Sequence, residues 1–226
     1  MPRTNREEQP VAVAAPTIDL VHVSHRFGHR IVFHDINLHV AAGQVAVVTG
    51  DNGAGKSTLL RIIAGLLKLQ SGSVGVTVCG AIQDALARRR YLGYVAPDLV
   101  LYRELSGVEN LEFFAGLRGI TLTHELLKLS LQRVGLLGRG RDLVGSYSSG
   151  MRQRLKYAFA LIGCPPILLL DEPTANLDSG GIDMVRQIVH GQRERVGGGL
   201  TVIATNEPRE HSWGDVTVQL NGILTS

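Results

Sequence analysis

The chain has 226 residues, 44% apolar and 19% charged, with a formal net charge of +3. That length supports one substantial core with a smaller satellite, and the mild basic balance permits phosphate-rich partners without requiring them. Cys79 and Cys164 lie far apart with no C-x-x-C spacing, so neither a disulfide framework nor a zinc site is suggested, and the longest apolar stretch, Tyr157 to Leu170, is broken by Pro165 and Pro166 and falls short of the roughly 20 residues that span a bilayer.

Residues 1–16 mix charges with three prolines and read as a loose extension; Val11 to Ala15 is too short for a signal-peptide core. Ile18 to Val23 and Ile36 to Val40 alternate as strands of a small antiparallel sheet. Val45 to Thr49 is a short β-rich run ending at Gly50, after which Ser57 to Leu67 spaces its apolar residues along a helical face. Strands are expected again at Ser73 to Val78 and Tyr91 to Val95. The intervening run Arg88, Arg89, Arg90 reads as a solvated face. Val108 to Leu117, His124 to Val134 and Ser148 to Ile162 read as helices, Ile167 to Leu170 as a buried strand, Ile182 to Val196 as a helix and Leu200 to Ala204 as a strand. Alternating strands and helices imply a parallel sheet with helices on its faces.

The segment Gly50-Asp51-Asn52-Gly53-Ala54-Gly55-Lys56-Ser57-Thr58 satisfies the phosphate-loop pattern, in the strand-to-helix context that the pattern requires. Its glycines let backbone N–H groups turn toward phosphates, Lys56 reaches the terminal phosphates, and Ser57 offers a hydroxyl to magnesium. Asp171 and Glu172 end a buried strand, where ligands of open α/β sheets gather. Asp171 suits the magnesium shell; Glu172 suits polarisation of the water that attacks the γ-phosphate.

Tyr147-Ser148-Ser149-Gly150-Met151-Arg152-Gln153-Arg154, shortly before Asp171-Glu172-Pro173-Thr174, resembles the signature segment of the ABC (ATP-binding cassette) ATPases. The resemblance covers residues 18 to about 220. It implies an α/β P-loop NTPase fold with a RecA-like parallel core, an antiparallel β subdomain and an α-helical signature subdomain at about 97–163, all in one domain over 17–226. It further implies ATP and Mg2+ as cofactors and a head-to-tail dimer, either of identical chains or with another ABC ATPase. In such a dimer Ser148 and Gly150 contact the γ-phosphate held by the opposite subunit. Ala175-Asn176-Leu177-Asp178 is similar to the D-loop that crosses the dimer interface, with Asp178 its key residue. Phe27 stands where related ATPases stack an aromatic ring on adenine.

Two positions depart from the family's pattern. Pro97 replaces a glutamine that contacts magnesium, water and the coupling helix, leaving Asp98 as the nearest oxygen donor. Asn206 replaces a histidine that contacts the γ-phosphate; it can donate a hydrogen bond but cannot shuttle a proton. Slow turnover without a partner is therefore expected. The histidines at 22, 25, 29, 34 and 39 lack paired acidic or cysteine ligands, so no metal site is expected there.

The resemblance implies an ATP-hydrolysing subunit that powers transport through a separate transmembrane chain, sited in the cytoplasm on the inner face of the membrane, with coupling around Pro97 to Leu105. No nucleic-acid partner is expected. The short form and the Tyr-Ser-Ser-Gly-Met signature are similar to exporter-type subunits, including the kind that serves haem export in cytochrome c maturation. The alternatives are a soluble ABC regulator of nucleic acid or the ribosome, and a switch that clamps ATP with weak hydrolysis.

Overall fold

The computed structural model describes residues 15–221. The N-terminal extension expected over residues 1–16 therefore lies outside the described residues, except at its last two positions. Two sheets organise the chain. Strands β1 (Thr17–Phe27), β2 (Arg30–Val40), β4 (Ser71–Val78) and β5 (Ala81–Ile82) form an antiparallel sheet in the order β2-β1-β4-β5. The second sheet is parallel throughout, in the order β6-β7-β8-β3-β9, from β3 (Val45–Thr49), β6 (Leu92–Val95), β7 (Ile167–Asp171), β8 (Leu200–Ala204) and β9 (Val216–Gln219).

The central strands of the parallel sheet are apolar on both faces because both faces are covered. Ile167 and Leu169 of β7 enter one core, with Ala46 and Val48 of β3; Leu168 and Leu170 enter the other, with Val45 and Val47. The first core lies between this sheet, the antiparallel sheet and α1 (Lys56–Ile63). The second collects α2 (Gly107–Leu117), α3 (His124–Arg133), α4 (Ser149–Ala160) and α5 (Ser179–Arg193). In α1 the side chains of Leu59, Leu60, Ile62 and Ile63 are buried, each worth about 1.5–3 kcal/mol of burial.

Helix α1 stops four residues before the periodicity suggests. Gly65 takes φ +68°, its N–H donates to the Ile62 carbonyl, and the Leu66 N–H reaches back to the Arg61 carbonyl, a Schellman closure. A Cβ on Gly65 would lie 2.2 Å from the Ala85 carbonyl oxygen, so both conformation and space require glycine. The same helix end corrects the reading of the arginine run. Arg88 is buried, not solvated: its Nη1 donates to the Ile63 carbonyl at 3.1 Å, and Arg89 donates to the Gly65 carbonyl. Two cations thus sit at the negative end of the α1 dipole, and only Arg90 keeps a plain solvated role.

Helix α5 starts three residues earlier than expected, because the Asp178 carboxylate accepts the Gly181 N–H at 2.8 Å and caps a glycine-rich first turn. It also ends sooner, at Arg193. The short β5 and β9 and the one-turn α6 (Pro208–His211) add to the expected set. No helix is long and apolar enough to cross a membrane among the described residues.

Candidate nucleotide site

The C-terminal ends of β3, β7 and β8 converge where ligands of parallel sheets bind. Beyond β3, Gly50, Gly53 and Gly55 all take positive φ, and Gly55 precedes α1 at φ +100°. A Cβ on Gly55 would lie 2.3 Å from Val32 and 2.9 Å from the Phe33 ring, so β2 presses directly on the loop and only glycine fits. Lys56 is buried, and its Nζ donates to the Gly50 carbonyl at 2.8 Å, the Asp51 carbonyl at 3.2 Å and Asn206 Oδ1 at 2.6 Å. The Asn206 amide in turn donates to Asn52 Oδ1. One amide thereby bridges the end of β8 to two residues of the loop.

Asp171, at the end of β7, is 1% exposed, and neither carboxylate oxygen has a hydrogen-bond partner among the described residues. Burial raises its pKa, against the pull of the nearby Ser57 hydroxyl, Arg61 and Lys56. An orphaned buried carboxylate beside a hydroxyl is a donor set suited to a divalent cation, so the residues present fit Mg2+. Glu172 follows with φ +49°, a strained conformation for a side-chain-bearing residue, fixed by its N–H to the Ala204 carbonyl at 2.9 Å. Burial also raises the Glu172 pKa, with Lys56 opposing. The next turn is held from behind: the Tyr157 hydroxyl donates to the Pro173 carbonyl at 2.8 Å, and Thr174 bonds Glu210.

A cleft of about 370 Å³ is lined by Phe27, Arg30, Val32, Asn52, Gly53, Gly55, Lys56, Ser57, Thr58 and Glu172. Asp51 and Asn206 join it through Lys56, and Ala54 is buried beneath the loop. Phe27 is 55% exposed at the mouth, its ring edge-to-face with His25 at 4.8 Å. Arg30 and Val32 are the lining residues that the sequence does not announce, and Arg30 is the charged one. The signal is local: Gly28 at φ +58° opens a two-residue hairpin turn that pairs Phe27 directly with Arg30.

Asp98 stands apart from this cleft, with Oδ2 accepting from Arg61 Nη2 at 2.8 Å. Beside it, the buried Lys156 of α4 donates to the carbonyls of Ala96 at 3.0 Å and Pro97 at 2.7 Å. Ser148, Gly150 and Asp178 form a second group. Ser148 is exposed and caps α4, accepting the Met151 N–H at 3.1 Å. A Cβ on Gly150 would come within 3.1 Å of the Asn176 carbonyl oxygen, and Arg154 donates to Asp178 at 2.8 Å. The signature segment and the D-loop are thus bound to each other, and neither lines the phosphate-loop cleft. Of the five histidines, His22 and His39 each bond a carboxylate, of Asp35 and Asp19, and His25 is buried; no metal-holding cluster occurs among the described residues.

Residues 33–175 match the family described as ABC transporter. The chain is 38% identical over 189 residues to the daunorubicin resistance ATP-binding protein DrrA3 of Streptomyces coeruleorubidus, covering 83% of this chain but 59% of that one. It is 35% identical over 198 residues to the cytochrome c biogenesis ATP-binding export protein CcmA of Xanthomonas oryzae pv. oryzae, covering 88% of this chain and 90% of the relative. The dimeric post-hydrolysis structure of the ATP-binding cassette MJ0796 bound to ADP and Pi superposes with a TM-score of 0.77 at 26% identity, over 91% of this chain and 96% of that one. With the phosphate loop, the buried Asp171 and the signature helix in this arrangement, the chain belongs to the ABC transporter family, as an ATPase subunit homologous to the exporter ATPases.

Proposed function

We propose that residues 17–226 act as one cassette, with its helical part at about 97–163, that hydrolyses ATP to drive export through a separate transmembrane chain from the cytoplasmic face of the membrane. The observation that carries this reading is that Lys56, Ser57 and Glu172 line one cleft, with Asn206 bonded to Lys56 and the buried Asp171 close to Ser57. Phe27 stacks on adenine. The N–H groups from Asp51 to Thr58 and the start of α1 receive the phosphates. Ser57 and Asp171 hold Mg2+, which when bound neutralises charge on the phosphate oxygens. Asp98 joins that shell only by releasing Arg61.

Glu172 accepts the proton of the attacking water. Its raised pKa brings it nearer the working pH of a general base than an ordinary carboxylate. Asn206 turns its amide N–H from Asn52 Oδ1 to the γ-phosphate. Ser148 and Gly150 serve the ATP of an opposing cassette, whether a second copy or another ABC ATPase, and Asp178 lies at that interface. The transmembrane partner docks over the loop 97–105, where Val100 and Tyr102 are exposed. The test is affinity capture of ATP-loaded Glu172→Gln protein from gently solubilised native membranes. Stoichiometric recovery of an integral membrane chain supports the assignment. Recovery of ribosomal or DNA-associated proteins without a membrane chain overturns it.

A further inference from the structure

We infer that Arg30 is a phosphate-binding residue of the nucleotide cleft, contributing a second cation to the triphosphate from outside the phosphate loop. The inference rests on the nucleotide reading above. Residues paired across a hairpin point to the same sheet face, so the Phe27–Arg30 pairing that places an aromatic ring at the cleft mouth places a guanidinium there too. The β1–β2 turn closes this pair in two residues, which leaves the two side chains little freedom to separate along the strands. Arg30 Nη2 stands 3.9 Å from where a Cβ on Gly53 would sit, over the middle of the phosphate loop.

The charge inventory of the cleft decides the assignment. Its lining contains two permanent cations, Lys56 and Arg30. The three donors of the Lys56 ammonium are matched by three acceptors, two carbonyls and Asn206 Oδ1. The Arg30 side chain makes no hydrogen bond or ion pair among the described residues, and the residue is exposed, so its guanidinium stays hydrated and available. An incoming nucleotide therefore meets an open cation at Arg30 before Lys56 has exchanged any partner. The planar fork of guanidinium donors suits two phosphate oxygens at once, which a point charge does not.

The experiment measures binding of ATP, inorganic tripolyphosphate and adenosine to the full chain carrying Glu172→Gln, with Arg30 intact, Arg30→Ala or Arg30→Lys. Arg30→Ala is expected to weaken ATP and tripolyphosphate about tenfold, in line with one charge-assisted hydrogen bond, with adenosine unmoved and the salt dependence of ATP binding reduced. Arg30→Lys is expected to recover part of the loss. Unchanged ATP affinity in Arg30→Ala overturns the assignment, as does a parallel loss for adenosine, which would mean that Arg30 only positions Phe27. Failure of the Arg30-intact protein to bind ATP would refute the nucleotide reading itself. An unchanged melting temperature, expected for an exposed side chain without partners, separates the effect from misfolding.

Discussion

Asp171 is held at a cost that its removal exposes. The carboxylate is 1% exposed, has no hydrogen-bond partner among the described residues, and its pKa is raised by burial. Asp171→Asn keeps the shape and removes the charge. Relieving a buried functional charge is expected to stabilise the nucleotide-free, magnesium-free protein by about 1 kcal/mol, which raises the melting temperature of a domain this size by about 2–4 °C. The same change is expected to shrink the rise in melting temperature that magnesium adds to ATP, because one of the two proposed magnesium ligands loses its charge.

The pH dependence has a definite sign. A carboxyl whose folded pKa lies above its unfolded value holds more protons when folded, so the parent loses stability as pH rises from the ordinary carboxyl range through the raised value. The advantage of Asp171→Asn is therefore full above the raised pKa and vanishes as pH falls toward 3.8. Calorimetry of both proteins at neutral and mildly acidic pH, without metal or nucleotide, tests this. A variant less stable than the parent at neutral pH would refute the reasoning, because it would mean that the charge is satisfied in the native state.

Glu172→Gln is expected to keep ATP binding and lose about 10²–10⁴-fold in single-turnover hydrolysis, the range for a general base; unchanged turnover would remove Glu172 from that role. Asn206→His is expected to raise turnover in the assembled transporter and to introduce a titration in the pH–rate profile within the range of an imidazole, and an unchanged rate would show that the asparagine is not limiting. Lys156→Met should lose about 2–4 kcal/mol in urea unfolding, since it leaves the carbonyls of Ala96 and Pro97 without their buried donor, and faster amide exchange over residues 96–98 would locate the loss. Gly65→Ala combines a left-handed backbone with a 2.2 Å clash, and a destabilisation of about 3 kcal/mol is expected in the same assay.

The parts of this molecule that were legible in the sequence are those in which a short run carries its own physical explanation. Val45 to Ser57 announces strand, glycine turn and helix, and Ile167 to Glu172 announces a strand buried on both faces with carboxylates at its end. Elements defined by distant partners were not legible. Arg88 looks like surface because its neighbours are charged, yet what buries it is a helix end 25 residues earlier. The β9 run alternates weakly and is half exposed, and only its pairing with β3 makes it a strand. Helix α5 looked later than it is because Gly180 and Gly181 oppose a helix until Asp178 caps them. At the cleft, Arg30 carries no motif; its place follows from the turn beside Phe27.

The Lys156 ammonium has a mechanical consequence. Two bonds to adjacent carbonyls rivet the 96–97 segment to α4, while Arg61 holds Asp98 from the α1 side. From Lys156 to the start of α4 at Ser149 is roughly 10 Å of stiff helix. A push on this loop therefore works two rods at once, as a pedal would: Lys156 passes it along α4 to the Ser148 end, and Arg61 passes it along α1 to the phosphate loop.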